Sequence, residues 1–259
     1  MQKFIILSLF LSSYMFSQEN INTKSIDTID IQENTSWINI DNFETTYIIK
    51  ENTFYKLTEQ EHFNYSNYQL GKPSTVNIFN PLKINLFYED FNTLIILDNR
   101  LAEIFKIDFN TTLPYKNVLC VSTGNDNSVW LFNTDTQTLE LYDFKKNIIK
   151  AKSQPLAEQP ISMTSNFNFC WLLTPNYIYK YNYFGSLIYK IKNNAFESIS
   201  QFNERLYLAK QNKVYLYDEE NSNYRKVDTS NLLIKQFFVN HETLYIYTGK
   251  TLNKLHLKL

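Results

Sequence analysis

The chain has 259 residues, with 25 Lys and Arg against 26 Asp and Glu, a net charge of −1. It lacks the basic excess with which nucleic-acid-binding proteins displace counterions, which excludes DNA and RNA as electrostatic partners. Its 19 Tyr and 20 Phe offer ring surface for a large strand-rich core, and with only 4 Gly, Asn and Asp must form most of the turns.

At the start of the chain, Lys3 precedes an apolar run from Phe4 to Phe16, followed by Ser17-Gln18-Glu19. A bilayer span needs about 20 apolar residues. The shorter run fits a secretory signal over residues 1–17, cleaved near Ser17. Cleavage removes Lys3 and no acid, leaving 24 basic against 26 acidic residues and a net charge of −2. No Cys lies near the cut to carry a lipid, and the chain ends inside a repeat. The mature protein is therefore expected in the periplasm of a two-membrane bacterium, with no membrane span of its own, reaching the outer membrane only through a partner.

From Ser25 to Ile31 polar and apolar residues alternate, a half-exposed strand with no partner nearby. A repeating phrase then begins: Tyr47-Ile48-Ile49 precedes Thr53 to Leu57, and an apolar run, a turn and a second run return at Leu94, Val129, Cys170, Leu206 and Leu244. The stretch Pro81 to Phe109 shows the phrase best. Its run Leu94-Ile95-Ile96-Leu97 is apolar at every position, which implies burial on both faces. A period of roughly 40 residues with four short strands per copy marks β-propeller blades rather than helical repeats.

Residues 18–259 are accordingly expected to form one all-β domain, a six-bladed β-propeller. On this register the inner strands are Trp37 to Ile40, Lys83 to Tyr88, Val118 to Ser122, Ile161 to Thr164, Ser198 to Phe202 and Gln236 to Asn240. Tyr68 to Pro81 is then the longest connection. A seventh blade, the alternative, would need roughly 40 further residues. The last repeat supplies only three strands, so Ile26 to Ile31 is expected to pair with the final strand and close the ring, removing an open edge.

The candidate chemistry is sparse. His62, His241 and His256 stand alone, without a second His at metal-ligand spacing, and read as surface or packing residues. Cys120 and Cys170 sit in consecutive repeats inside apolar runs, where they could bridge in an oxidising compartment or, the favoured reading, pack as free thiols. No nucleophile elbow, phosphate loop or calcium loop is present. No catalytic residue, cofactor or metal is therefore assigned, and the chain is expected not to be an enzyme.

Attention falls on the turns between second and third strands, which share a rim with the links between blades: Asp98-Asn99-Arg100, Asn133-Thr134-Asp135, Thr174-Pro175-Asn176, Gln211-Asn212 and Thr248-Gly249-Lys250. Most of these residues are turn formers. Arg100 and Lys250 are not, and together with Asp98, Asn99, Asp135 and Asn176 they are the expected partner-contact residues. Glu89 and Asp90 are placed on the opposite rim as a turn cap, with Asn125 to Ser128 in the equivalent position of the next blade.

The phrase PLKINLFYEDFNTLIILDNRLAEI resembles one found in small exported β-propeller proteins of Bacteroidota-type bacteria, specifically over Pro81 to Ile107. The resemblance implies a place beside outer-membrane export machinery, such as the plug subunit of the type IX secretion translocon; it carries no functional residue across. The reading that results is a non-catalytic periplasmic scaffold that docks another envelope protein, an outer-membrane translocon or barrel. The alternatives are a small-ligand or carbohydrate-binding propeller and a metal-dependent exported hydrolase.

Overall fold

The computed structural model describes residues 20–58 and 61–259. The expected signal segment, 1–17, lies outside the described residues. Among the described residues, twenty-four strands form six four-stranded antiparallel sheets, the blades of a propeller. The strand β1 (Thr23–Asp30) stands apart in sequence. Blade 1 is β2 (Thr35–Ile40), β3 (Thr46–Lys50), β4 (Thr53–Leu57) and β5 (His62–Tyr65); blade 2 is β6 (Thr75–Asn77), β7 (Ile84–Tyr88), β8 (Thr93–Leu97) and β9 (Glu103–Asp108). Blade 3 is β10 (Val118–Thr123), β11 (Ser128–Asn133), β12 (Thr138–Asp143) and β13 (Ile148–Lys152), and blade 4 is β14 (Ser162–Ser165), β15 (Phe169–Leu173), β16 (Tyr177–Asn182) and β17 (Leu187–Lys192). Blade 5 is β18 (Ser198–Phe202), β19 (Arg205–Lys210), β20 (Lys213–Asp218) and β21 (Asn223–Val227). Blade 6 takes β22 (Gln236–Asn240), β23 (Thr243–Tyr247) and β24 (Thr251–Leu257), and is completed by β1 in the order β22-β23-β24-β1.

Closure is as the sequence suggests. β1 pairs antiparallel with β24 from Thr23 opposite Leu257 to Asp30 opposite Thr251. The alternation in β1 does not bury a face, however: Ile26 and Ile29 are both exposed, because a fourth strand lies on the rim of the disc with no blade outside it. The latch is sealed by Ile21, which is fully buried and bridges in parallel to Val227 of blade 5.

The core is not one mass. Six buried apolar clusters occupy the six interfaces between neighbouring blades. A strand in mid-blade therefore faces apolar layers on both sides, and successive side chains go alternately to each. In β8, Ile95 and Leu97 enter the layer with blade 1 while Leu94 and Ile96 enter the layer with blade 3. In β11, Val129 and Leu131 face blade 2, and Trp130 and Phe132 face blade 4. Unbroken apolar runs are the direct result.

Asn and Asp fill only part of the left-handed turn positions: Asn34, Asn92, Asp126, Asn147, Asn203, Asn212 and Asn231 take positive φ, the conformation they tolerate best among residues with a side chain, but so do Glu44, Glu51, Leu101, Gln137, Ala195, Glu204, Gln211, Ser222, Ser230 and His241.

The frame of blade 2 needs correction. Its inner strand is the three-residue β6, so Lys83 to Tyr88 supplies the second strand and Leu94 to Leu97 the third. β7 and β8 are each buried at every position, and either could pass for the second strand of a repeat. Tyr68 to Pro81, expected as a bare connection, contains β6.

Candidate functional site

Antiparallel alternation sorts the turns onto two rims. First-to-second and third-to-fourth turns share one, here the hairpin face; second-to-third turns and the links between blades share the other, the link face. Contacts across blades agree with this assignment: Lys83 Nζ donates to the Asp126 carbonyl and to Asn127 Oδ1, and the Phe79 and Phe167 rings meet edge-on at 5.0 Å.

The frame correction moves part of the expected contact set. Asp135, Asn176 and Lys250 lie on the link face, whereas Asp98, Asn99 and Arg100 occupy the turn from β8 to β9 and belong to the hairpin face. Glu89 and Asp90 move the opposite way, into the short 3-10 turn from β7 to β8 on the link face. They are not equivalent to Asn125 to Ser128, which join β10 to β11.

The expected contact residues mostly hold their own turns. Asp98 Oδ1 accepts from the backbone N–H of Arg100 and of Ala102, and the Asn99 carbonyl accepts from Lys56 Nζ. The backbone N–H of Asp135 donates to Asn133 Oδ1. The Asn176 side-chain amide and backbone N–H both donate to Glu158, and the side-chain bond does most to hold that carboxyl below the usual range. The Lys250 carbonyl accepts from the Ile31 N–H at the closure. The side chains of Arg100 and Lys250 are exposed.

A channel of about 350 Å³ runs along the propeller axis. It is lined by β2, β14, β18 and β22 and by Val76 to Phe79 around the end of β6. Blade 3 is screened from it by a polar seam: Asn77 Nδ2 donates to Ser122 Oγ, Thr123 Oγ1 donates to Asn77 Oδ1, and the Ser122 and Ser165 hydroxyls share a bond of 2.7 Å. Similar bonds cross other blade boundaries. Gln201 Nε2 donates to the Ser165 carbonyl, Gln236 Nε2 to the Ile38 carbonyl, and Asn240 Nδ2 to the Asp41 carbonyl.

The channel carries little charge. Asp41 is the carboxylate in its lining, and it accepts from the N–H of Phe43 and Thr45 and from the Tyr47 hydroxyl, which spends it on its own turn. Burial and the adjacent carboxylate push the Tyr47 hydroxyl far above the ordinary tyrosine range. Lys235 stands at the link-face mouth, its ammonium 5.9 Å from the Tyr247 ring. At the hairpin-face mouth, His241 packs against Phe202 with ring centroids 5.5 Å apart. Among the described residues, no group of three or more His, Cys, Asp and Glu side chains is placed to hold a metal ion.

Cys120 and Cys170 are free, and both enter the layer between blades 3 and 4. Burial raises both thiols, Cys120 to about 12. A protonated, packed thiol is a poor nucleophile.

Two features escape a reading of the sequence. One is a buried ion pair in blade 3: Lys116 Nζ lies 2.6 Å from Glu140 Oε2, with the two side chains 2% and 1% exposed, and Lys152 approaches the other carboxylate oxygen at 3.4 Å. The other is a set of large apolar side chains exposed on hairpin-face turns, Phe43, Leu82, Phe167 and Phe184. Some of them belong to touching aromatic pairs, Phe79 with Phe167 and Tyr183 with Phe184. The link face exposes large side chains as well, among them Tyr68, Phe91, Leu113, Tyr115 and Leu233.

No family model matches this chain, and no curated protein does. Solved structures do match. Virginiamycin B lyase from Staphylococcus aureus is 12% identical at a TM-score of 0.64, covering 92% of this chain and 95% of its own. A chain of the Mitotic Checkpoint Complex is 10% identical at 0.63, covering 98% and 99%. The Pan2 WD40 domain of Neurospora crassa is 10% identical at 0.55, covering 90% and 95%. At such identities the agreement concerns the fold: the chain is built as these β-propellers are.

Proposed function

We propose that this chain is a non-catalytic docking propeller, exported to the periplasm, that presents its hairpin face to another envelope protein. The observation that carries the reading is the exposure of Phe43 at 77%, Leu82 at 64%, Phe167 at 44% and Phe184 at 68% on that face. Turns do not need such side chains, and the contact of Phe79 with Phe167 brings apolar turn residues of blades 2 and 4 together on this face, as contiguous apolar surface at an interaction site would be. Arg100, exposed on the same face, supplies a rim charge of the kind that sets register and encounter rate. The Mitotic Checkpoint Complex chain is an instance of the same fold within a protein assembly. The resemblance of Pro81 to Ile107 to exported propellers supports an outer-membrane export complex as the partner. Commitment of Asp41 to its own turn favours docking over channel chemistry.

The test is site-specific photo-crosslinking in cells that make the protein natively. Probes at Phe43, Leu82, Phe167 and Phe184 are compared with probes at Tyr68, Leu113 and Lys250, and adducts are identified after affinity purification from solubilised envelopes. A reproducible envelope protein captured from the hairpin face alone is expected. Equal capture from both faces, or none, removes the reading.

A further inference from the structure

We propose that the outer rim of the propeller around blade 4 is a docking surface for anionic phospholipid, and that the disc lies with this rim against a negatively charged membrane. The fourth strands of blades 3, 4 and 5, which are β13, β17 and β21, carry Lys150, Lys152, Lys190, Lys192, Arg225 and Lys226 and no acidic residue. The fourth strands of blades 6, 1 and 2 carry only Lys24 and Lys106 as Lys or Arg, against Asp27, Asp30, Glu103 and Asp108. A chain of net charge −1 thus sorts its rim charge into a basic half and an acidic half. Part of the basic charge is answered locally, since Lys150 lies 3.7 Å from Asp126 and Lys152 lies 3.4 Å from Glu140. Lys192 and Lys226 are exposed and form no ion pair with a described residue.

Lysines on an outer strand also deter the addition of further strands, but that role does not call for exposed aliphatic side chains beside them. Ile148 and Ile149 on β13 are 49% and 37% exposed, and Leu187 and Ile188 on β17 are each 49% exposed. The two strands form one surface, because the turn before β17 lies against β13: a Cβ on Gly185 would come within 3.1 Å of the Lys152 backbone nitrogen. That contact also obstructs the end of β13 against an added strand. The neighbouring edges are obstructed too, by the Tyr224 hydroxyl, which donates to the Lys192 carbonyl, and by the Ile21 N–H, which donates to the Lys226 carbonyl. Backbone pairing with a protein partner is hindered, and what the rim offers is its side chains. Aliphatic groups flanked by long, flexible cations suit the surface of an anionic bilayer, where the former enter the acyl boundary and the latter reach the phosphates.

The test incubates the protein, purified from cells that make it natively, with vesicles of phosphatidylglycerol and phosphatidylcholine in equal parts or of phosphatidylcholine alone, and measures the bound fraction by co-sedimentation. Binding to the anionic vesicles alone is expected, weakening as salt screens the charges. Lys192→Glu with Lys226→Glu, and separately Leu187→Ser with Ile188→Ser, should each weaken it tenfold or more with the melting temperature unchanged. Lys24→Glu with Ile26→Ser, on the rim of blade 6, should leave it as it was. No binding, equal binding to the neutral vesicles, full binding by either variant of the basic rim, or an equal loss in the blade 6 variant overturns the proposal. So does a homo-oligomer that the basic-rim variants dissociate in sedimentation velocity while vesicles go unbound, which assigns the rim to a second copy of the chain. None of these results bears on hairpin-face docking, which the crosslinking experiment reads at other residues.

Discussion

Blade 3 and blade 6 have the same four-strand plan and are held together differently. Blade 3 is continuous in sequence, its second and third strands are buried at every position, and the Lys116–Glu140 pair ties its third strand to the link from blade 2. Blade 6 is assembled from the two ends of the described chain, and its outer strand β1 is almost wholly exposed. In the first, integrity rests on a polar lock inside a local unit. In the second, it rests on long-range pairing sealed by one apolar side chain, Ile21. A ring needs each blade to be closed, but it does not need each to be closed by the same means.

The largest effect is expected from breaking the lock. Glu140→Ala leaves the Lys116 ammonium buried without its partner and should cost about 3–5 kcal/mol in denaturant unfolding. The double variant Lys116→Met with Glu140→Leu should recover most of that loss, because the cost lies in the uncompensated charge. If the single variant costs under about 1 kcal/mol, blade 3 is not locked by charge.

Next comes the latch. Ile21→Ala, at a fully buried position, should cost about 2–4 kcal/mol, whereas Ile26→Ala on the exposed β1 should stay within about 0.5 kcal/mol. Similar losses at both positions would mean that β1 itself, rather than the plug preceding it, closes blade 6.

Alkaline pH should press on both blades at once. Burial raises the hydroxyl of Tyr142 in blade 3 and those of Tyr245 and Tyr247 in blade 6, and raises Tyr181 in blade 4 to about 12. A group raised in the folded state ionises first in the unfolded chain, so stability is full below the ordinary tyrosine value of about 10 and falls as pH climbs toward the folded values. Absorbance at 295 nm should show these tyrosines titrating together with unfolding. Titration at about pH 10 in a chain that remains folded would contradict the burial.

The smallest effect concerns a turn. His241 adopts φ 51 between β22 and β23, and His241→Gly should raise stability by about 0.5 kcal/mol after loss of the Phe202 contact is counted. A gain in melting temperature checks it; a fall shows that the ring contact outweighs the backbone relief.

The number of blades and the closing strand could be read from the sequence because interior layers write themselves as runs: Leu94 to Leu97 and Val129 to Phe132 have apolar neighbours on both sides. Blade 2 misled for the same reason. Two successive buried strands, β7 and β8, offered two equal frames, and the true inner strand, Thr75-Val76-Asn77, has no apolar run to announce it. That slip of one strand turned Asp98, Asn99 and Arg100 to the wrong rim and displaced Glu89 and Asp90 with them. The Lys116–Glu140 lock was invisible because its members stand 24 residues apart with nothing in either neighbourhood to suggest a pair. Gln201 and Asn240 look like ordinary polar residues of inner strands; only the structure shows their amide nitrogens tying neighbouring blades together.

The pairing of β1 with β24 also orders events in time. The segment from Thr23 to Asp30 precedes its partner, Thr251 to Leu257, by the length of the five intervening blades. Five blades can form from consecutive hairpins while this segment waits, an unpaired strand attached to a growing arc. The disc therefore becomes whole in a single late step that joins the two ends, and until then two raw strand edges face each other across the gap. Any factor that shields β1 during that interval protects the molecule at its most aggregation-prone moment.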